Sequence, residues 1–113
     1  MVAGGQRPAR GELWWANLDP IVGSEQAGRR PVLILSADHY QRIQDRLIII
    51  APLTRTLRHY PFHIQVSTED SGSPDGSAVM CDQIRTISTR RLLGPRPAGR
   101  LPEAIINPVE TAI

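Results

Sequence analysis

From residue 12 onward the apolar residues come in short clusters stopped by Pro, Gly or Asp, at the spacing of strands rather than helices. "ELWWANL" (12–18) carries the strand-favouring Trp14 and Trp15 and ends at Asp19-Pro20. Successive strand side chains face opposite ways, so one tryptophan is expected in the core and the other near a surface or dimer contact. "PVLILSA" (31–37) and "RLIIIAPL" (46–53) are near-continuous apolar runs, the mark of strands covered on both faces. Between them, "DHYQRIQD" (38–45) opens on the capping residue Asp38 and has room for about two helical turns. "PFHIQVS" (61–67) alternates, which predicts Phe62, Ile64 and Val66 on one face and His63 and Gln65 on the other. "TEDSGSPDG" is a loop by composition, and "SAVMCDQIRTIS" (77–88) reads as a strand bent near Asp82. "TRRLL" fits a short helical turn. In "LPEAIINPVETAI", Pro102 suits a first helical turn, while Pro108 is expected to break or kink the helix.

These elements predict a mainly β (α+β) fold, a small barrel with short helices, and neither repeats nor linkers divide it. The 113 residues suffice for one core, which places a flexible tail at 1–9 and a single domain at 10–113. With 41% apolar and 21% charged residues, the composition is that of a folded chain. No apolar run reaches the ~20 residues of a membrane helix, and "MVAGGQRPAR" lacks the apolar stretch of a secretory signal. Cys81 is the single cysteine, so no internal disulfide can form and a cytoplasmic location is expected.

The charge changes the picture only through its distribution. All 13 basic residues are arginine and the net charge is +2, too small by itself to imply nucleic acid. Between Gln83 and Pro102 five arginines occur with no acid, whereas Glu69, Asp70, Asp75 and Asp82 cluster just before, which predicts one basic and one acidic face. One cysteine with His39, His59 and His63 gives no metal-ligand spacing, and no P-loop or dinucleotide motif is present. Ser24 and Cys81 have no base partner placed by sequence, so nucleophilic catalysis is unsupported. What remains is a basic and hydroxyl set at strand ends. Arg29 and Arg30 stand where a loop enters the second strand, and Thr54 and Arg55 where the third one ends. Neighbouring strands would bring a guanidinium beside a hydroxyl, and that pair can hold a phosphate.

The stretch "RGELWWANLDPIVGSEQAGRRPVLILS" resembles the opening of the MazF/PemK toxin family: R-G-[DE], a strand, D-P, then G-S-E-Q-x-G-x-R-P. "LIIIAPLT", "YPFHIQV" and "DQIRTIS" follow in the family's order, so the resemblance covers the chain from Arg10 to the last helix. It implies a small SH3-like barrel of the MazF/CcdB type and a homodimer. The implied activity is a metal- and ribosome-independent endoribonuclease (an mRNA interferase) that cuts single-stranded RNA and needs no cofactor. The implied partner is a MazE-like antitoxin with an acidic, flexible C-terminal segment. By the same resemblance Arg30 and Thr54 are the catalytic pair, Glu25 is the loop carboxylate beside them, and Gln83 lies on a strand that contacts RNA. Further RNA contacts are expected from Arg85, Arg55, His59 or Tyr60, and from Gln26 and Arg29 in the 23–31 loop. Tyr60 and Phe62 are equally readable as barrel core.

Two rival functions remain open at this point. A CcdB-like gyrase poison shares the fold without enzymatic activity, but it calls for exposed aromatic residues on the last helix, and "INPVETAI" has none. A module that has lost catalysis and only binds RNA or antitoxin is disfavoured by the retention of Arg30 and Thr54.

Overall fold

The computed structural model describes residues 7–18, 28–36, 38–44, 46–58, 60–67 and 76–112. The strands among these residues are β1 Glu12–Asn17, β2 Arg29–Ile34, β3 Leu47–Thr54, β4 His63–Val66, β5 Ser77–Met80, β6 Arg85–Ser88, β7 Leu92–Leu93 and β8 Gly99–Arg100. Helix α1 spans Asp38–Ile43, a 3-10 turn spans Thr89–Arg91, and helix α2 spans Glu103–Ala112. The strands form one antiparallel sheet in the order β4-β5-β3-β2-β1-β7, with β6 also on β3 and β8 also on β1. No helix among the described residues is long and apolar enough to cross a membrane.

The sheet buries both faces, and the two apolar clusters follow the strand alternation. Leu13, Leu33, Ala51, Leu53 and Val79 build one core together with Ile106 and Val109 of α2. Trp14, Ala16, Val32, Ile34, Ile48, Ile50 and Ile87 build the other. This is why β2 and β3 are continuous apolar runs: each supplies both cores. Trp14 is fully buried and Trp15 is 48% exposed, the split that alternation predicts.

Three expectations are revised. Residues 77–88 form two strands, not one. β5 pairs the end of β3 (Leu53↔Val79, Thr54↔Ala78) and β6 pairs its beginning (Leu47↔Ser88, Ile50↔Arg85). A turn closed by the Gln83 N–H donating to the Met80 carbonyl (3.1 Å) separates them and lifts Asp82 and Gln83 off the ladder. Phe62 does not join Ile64 and Val66 on the core side, because it lies in the turn before β4 and packs on Tyr60 and His63. Helix α2 runs through Pro108 unbroken. Pro108 is exposed, while buried Ile106 and Val109 beside it hold the helix to the core, and this packing outweighs one missing hydrogen bond.

Residues 1–6 of the expected tail lie outside the described residues, and Pro8 is buried. The Arg10-Gly11-Glu12 motif is a junction. Ala9 N–H (2.7 Å) and Trp14 Nε1–H (3.2 Å) both donate to Glu12 Oε1, while Arg10 reaches across to Glu103 and Glu110 of α2.

Candidate active site

Strand pairing carries the ends of β2, β3 and β5 to one rim of the sheet. There Arg30, Thr54, Thr56, Arg58, Tyr60, Phe62, His63, Met80, Asp82 and Gln83 line a cleft of about 590 Å³. Arg30 comes from the start of β2, opposite Ala16 in the β1 ladder, and Thr54 is the last residue of β3. The guanidinium is half-buried and its Nη1 donates to the Leu53 carbonyl at 3.0 Å, which ties it to the backbone just before Thr54. Burial, and then the neighbouring charge of Arg55, lower the Arg30 pKa. Guanidinium nevertheless keeps its proton at ordinary pH. The cleft therefore holds a cation at a cost from desolvation and from a like charge, and an incoming anion relieves both.

Thr54 is set for the same anion. Its Oγ1 accepts the Thr56 N–H at 3.1 Å, which fixes the hydroxyl and leaves its own proton to donate into the cleft. Arg58 adds a second guanidinium to the lining, and its Cζ stands 5.9 Å from the ring centroid of Tyr60. A fork of guanidinium N–H groups with a hydroxyl donor beside it is chemistry for phosphate oxygens.

Gln83 lines the cleft with Arg30 and Thr54. Arg55 is exposed at the end of β3, close enough to Arg30 to act on its charge. Arg29 is exposed at the start of β2, opposite Asn17, and Arg85 is half-buried on β6, opposite Ile50. Neither is among the residues lining the cleft. Glu25, Gln26 and His59 lie outside the described residues. Among the described residues no three His, Cys, Asp or Glu side chains come together as a metal site. Cys81 is buried, and burial followed by the charge of Asp82 pushes its thiol up to about 11, so it is not poised as a nucleophile.

The sequence reading missed His63, Asp82, Arg58 and Thr56 as parts of the cleft. The signal for His63 was available: it shares a strand face with Gln65, opposite the core residues Ile64 and Val66. Asp82 carried none, because the turn that presents it exists only once β5 and β6 have both paired with β3.

Comparison with known proteins supplies the context. Residues 9–113 match the family model described as PemK-like, MazF-like toxin of type II toxin–antitoxin systems. The chain is 35% identical over 109 residues to endoribonuclease MazF9 of Mycobacterium tuberculosis, covering 92% of this chain and 91% of that protein. The crystal structure of MazF from Deinococcus radiodurans superposes with a TM-score of 0.80 at 28% identity, covering 95% of this chain and 93% of that one. A MazE–MazF structure from the same organism matches with a TM-score of 0.75 at 29% identity, over 94% and 91% of the two chains.

Proposed function

The chain belongs to the PemK-like, MazF-like toxin family of type II toxin–antitoxin systems, and from that premise we propose that it is a sequence-specific endoribonuclease acting on single-stranded RNA. The observation that carries the reading is the Arg30–Thr54 juxtaposition: a desolvated guanidinium tied to the backbone beside a hydroxyl, in a cleft open to a polyanion.

Cleavage proceeds without the ribosome and without a metal, the RNA's own 2′-OH being the nucleophile. The 2′ oxygen bonds to phosphorus, the bond from phosphorus to the 5′ oxygen breaks, and the products are a 2′,3′-cyclic phosphate and a 5′-hydroxyl. The proton lost by the 2′-OH passes to Glu25 or solvent, and the departing 5′ oxygen takes one up. Charge builds on the equatorial phosphate oxygens during the step. Arg30 and Thr54 stabilise that charge as preorganised donors. Arg30 does not act as a base, since its guanidinium stays charged. A MazE-like antitoxin with an acidic segment holds the activity in check by filling the same cation-lined cleft, and the enzyme works as a homodimer.

The test is incubation of the purified chain with a long end-labelled single-stranded RNA in the presence of a chelator. Discrete fragments ending in cyclic phosphate are expected. Intact RNA from folded protein would refute the reading.

A further inference from the structure

A carboxylate in a cleft built for phosphates opposes the binding of a polyanion, so its presence asks for another role. The described lining includes one, Asp82, lifted into the cleft by the turn between β5 and β6 and 41% exposed. Its Oδ1 lies 3.8 Å from Nε2 of His63. The His63 side chain is 7% exposed, and its Nδ1 is buried with no hydrogen-bond partner. The imidazole meets the rings of Tyr60 and Phe62 edge-on, each at 5.1 Å. Tyr60 is exposed and stacked on Phe62 at 5.0 Å, so an aromatic surface stands in the cleft beside the carboxylate. The phosphate clamp uses none of these groups.

The ladder registers fix where this cluster lies. Thr54, Ala78 and Gln65 form one row, and Met80 and His63 form another two residues along on the same sheet face. Ladder spacings then separate the Cα atoms of Thr54 and His63 by about 12 Å. The cluster flanks the clamp instead of sitting on it, where a base neighbouring the held phosphate would be.

Resting on the ribonuclease reading above, we propose that Asp82, positioned by His63 and with Tyr60 as stacking surface, reads the Watson–Crick edge of a guanine next to the scissile phosphate. An ionised carboxylate only accepts hydrogen bonds. Guanine alone presents two adjacent donors on that edge, N1–H and the 2-amino group, matched to the two carboxylate oxygens. Adenine and cytosine present one amino group beside a ring acceptor that repels the second oxygen, and uracil presents one N–H between two carbonyls. Stacking on an aromatic ring tolerates any base, so the carboxylate makes the choice. His63 acts through Asp82: the two rings hold its plane, and its Nε2 faces the carboxylate.

The experiment maps cut sites of the wild-type chain, Asp82→Asn, His63→Ala and His63→Gln on a randomised single-stranded RNA pool. Then kcat/KM is compared for a cut RNA carrying guanine or inosine, which lacks the 2-amino group, at the selected position. Guanine selection adjacent to the cut is expected, with inosine lowering kcat/KM about tenfold or more. Asp82→Asn should abolish the selection while cutting persists. His63→Ala should weaken it, and His63→Gln should restore part. Cutting with no guanine selection, or selection unchanged in Asp82→Asn, overturns this inference alone. So does an Asp82→Asn protein that melts normally and cuts nothing, since the carboxylate would then belong to the chemistry. A wild-type chain that cuts no RNA overturns the ribonuclease reading and this inference together.

Discussion

At Arg30 the protein keeps a charge that both burial and Arg55 disfavour, and its Nη1 is tied to the Leu53 carbonyl. On the proposed reading that charge serves a phosphate. Gly11 shows the opposite kind of residue, important to the fold and remote from chemistry. Its φ is +90°, and a Cβ there would stand 2.7 Å from Cδ1 of Ile106. Its backbone also accepts from the Leu101 N–H and donates to the Ile34 carbonyl, both at 2.9 Å, so the junction cannot drift to make room. Gly11→Ala is expected to lower stability by about 2–3 kcal/mol, read by urea denaturation, with cleavage per folded molecule unchanged. Unchanged stability would refute this account of the Arg-Gly-Glu motif.

At the scale of elements, helix α2 is held at two levels. Ile106 and Val109 bury its inner face, and Arg10 bridges to Glu110 and Glu103 at its rim. The hydrogen bond from Arg10 is the main cause that holds the Glu110 carboxyl below its ordinary value of 4.5. A carboxyl depressed in the folded state contributes its stability in full above the unfolded value and loses it as pH falls through the folded one. Both groups are partly exposed, so screening limits the contribution to about 1 kcal/mol or less. Glu110→Gln should therefore cost that much near neutrality and nothing at pH values below the folded pKa of Glu110, as measured by paired denaturation curves. A cost that persisted in acid would assign the role to packing.

The elements also show what the sequence could tell. β2 and β3 were legible because a strand supplying two cores must be apolar throughout, and Trp14 and Trp15 because alternation is local. The split of residues 77–88 was not, since each half is defined by a different stretch of β3 far away in sequence. Arg30 and Thr54 were legible as strand-end donors. Their cleft neighbours Arg58, His63 and Asp82 were not, because three connections have to fold before they share a wall. The unbroken helix at Pro108 is not legible from local propensity, because it depends on the burial of Ile106 and Val109 beside it.

At the scale of the molecule, the sheet spends its two faces on cores and brings strand ends to one rim, where loops of different origin meet. That arrangement gives a floor carrying Arg30 and Thr54, with side chains from other elements standing around it. On the proposed reading the floor supplies charge stabilisation and the walls supply specificity. On the same reading an acidic antitoxin segment would compete for both.

The central claim, that Arg30 and Thr54 together stabilise the phosphate in the transition state, is tested most directly by single-turnover cleavage with Arg30→Ala, Arg30→Lys and Thr54→Val, each checked for folding by thermal melt. The account predicts a loss of about 10²–10³ for Arg30→Ala. It predicts little recovery in Arg30→Lys, which keeps the charge but not the fork, and a smaller loss in Thr54→Val. A folded Arg30→Ala protein cutting at the wild-type rate would contradict it.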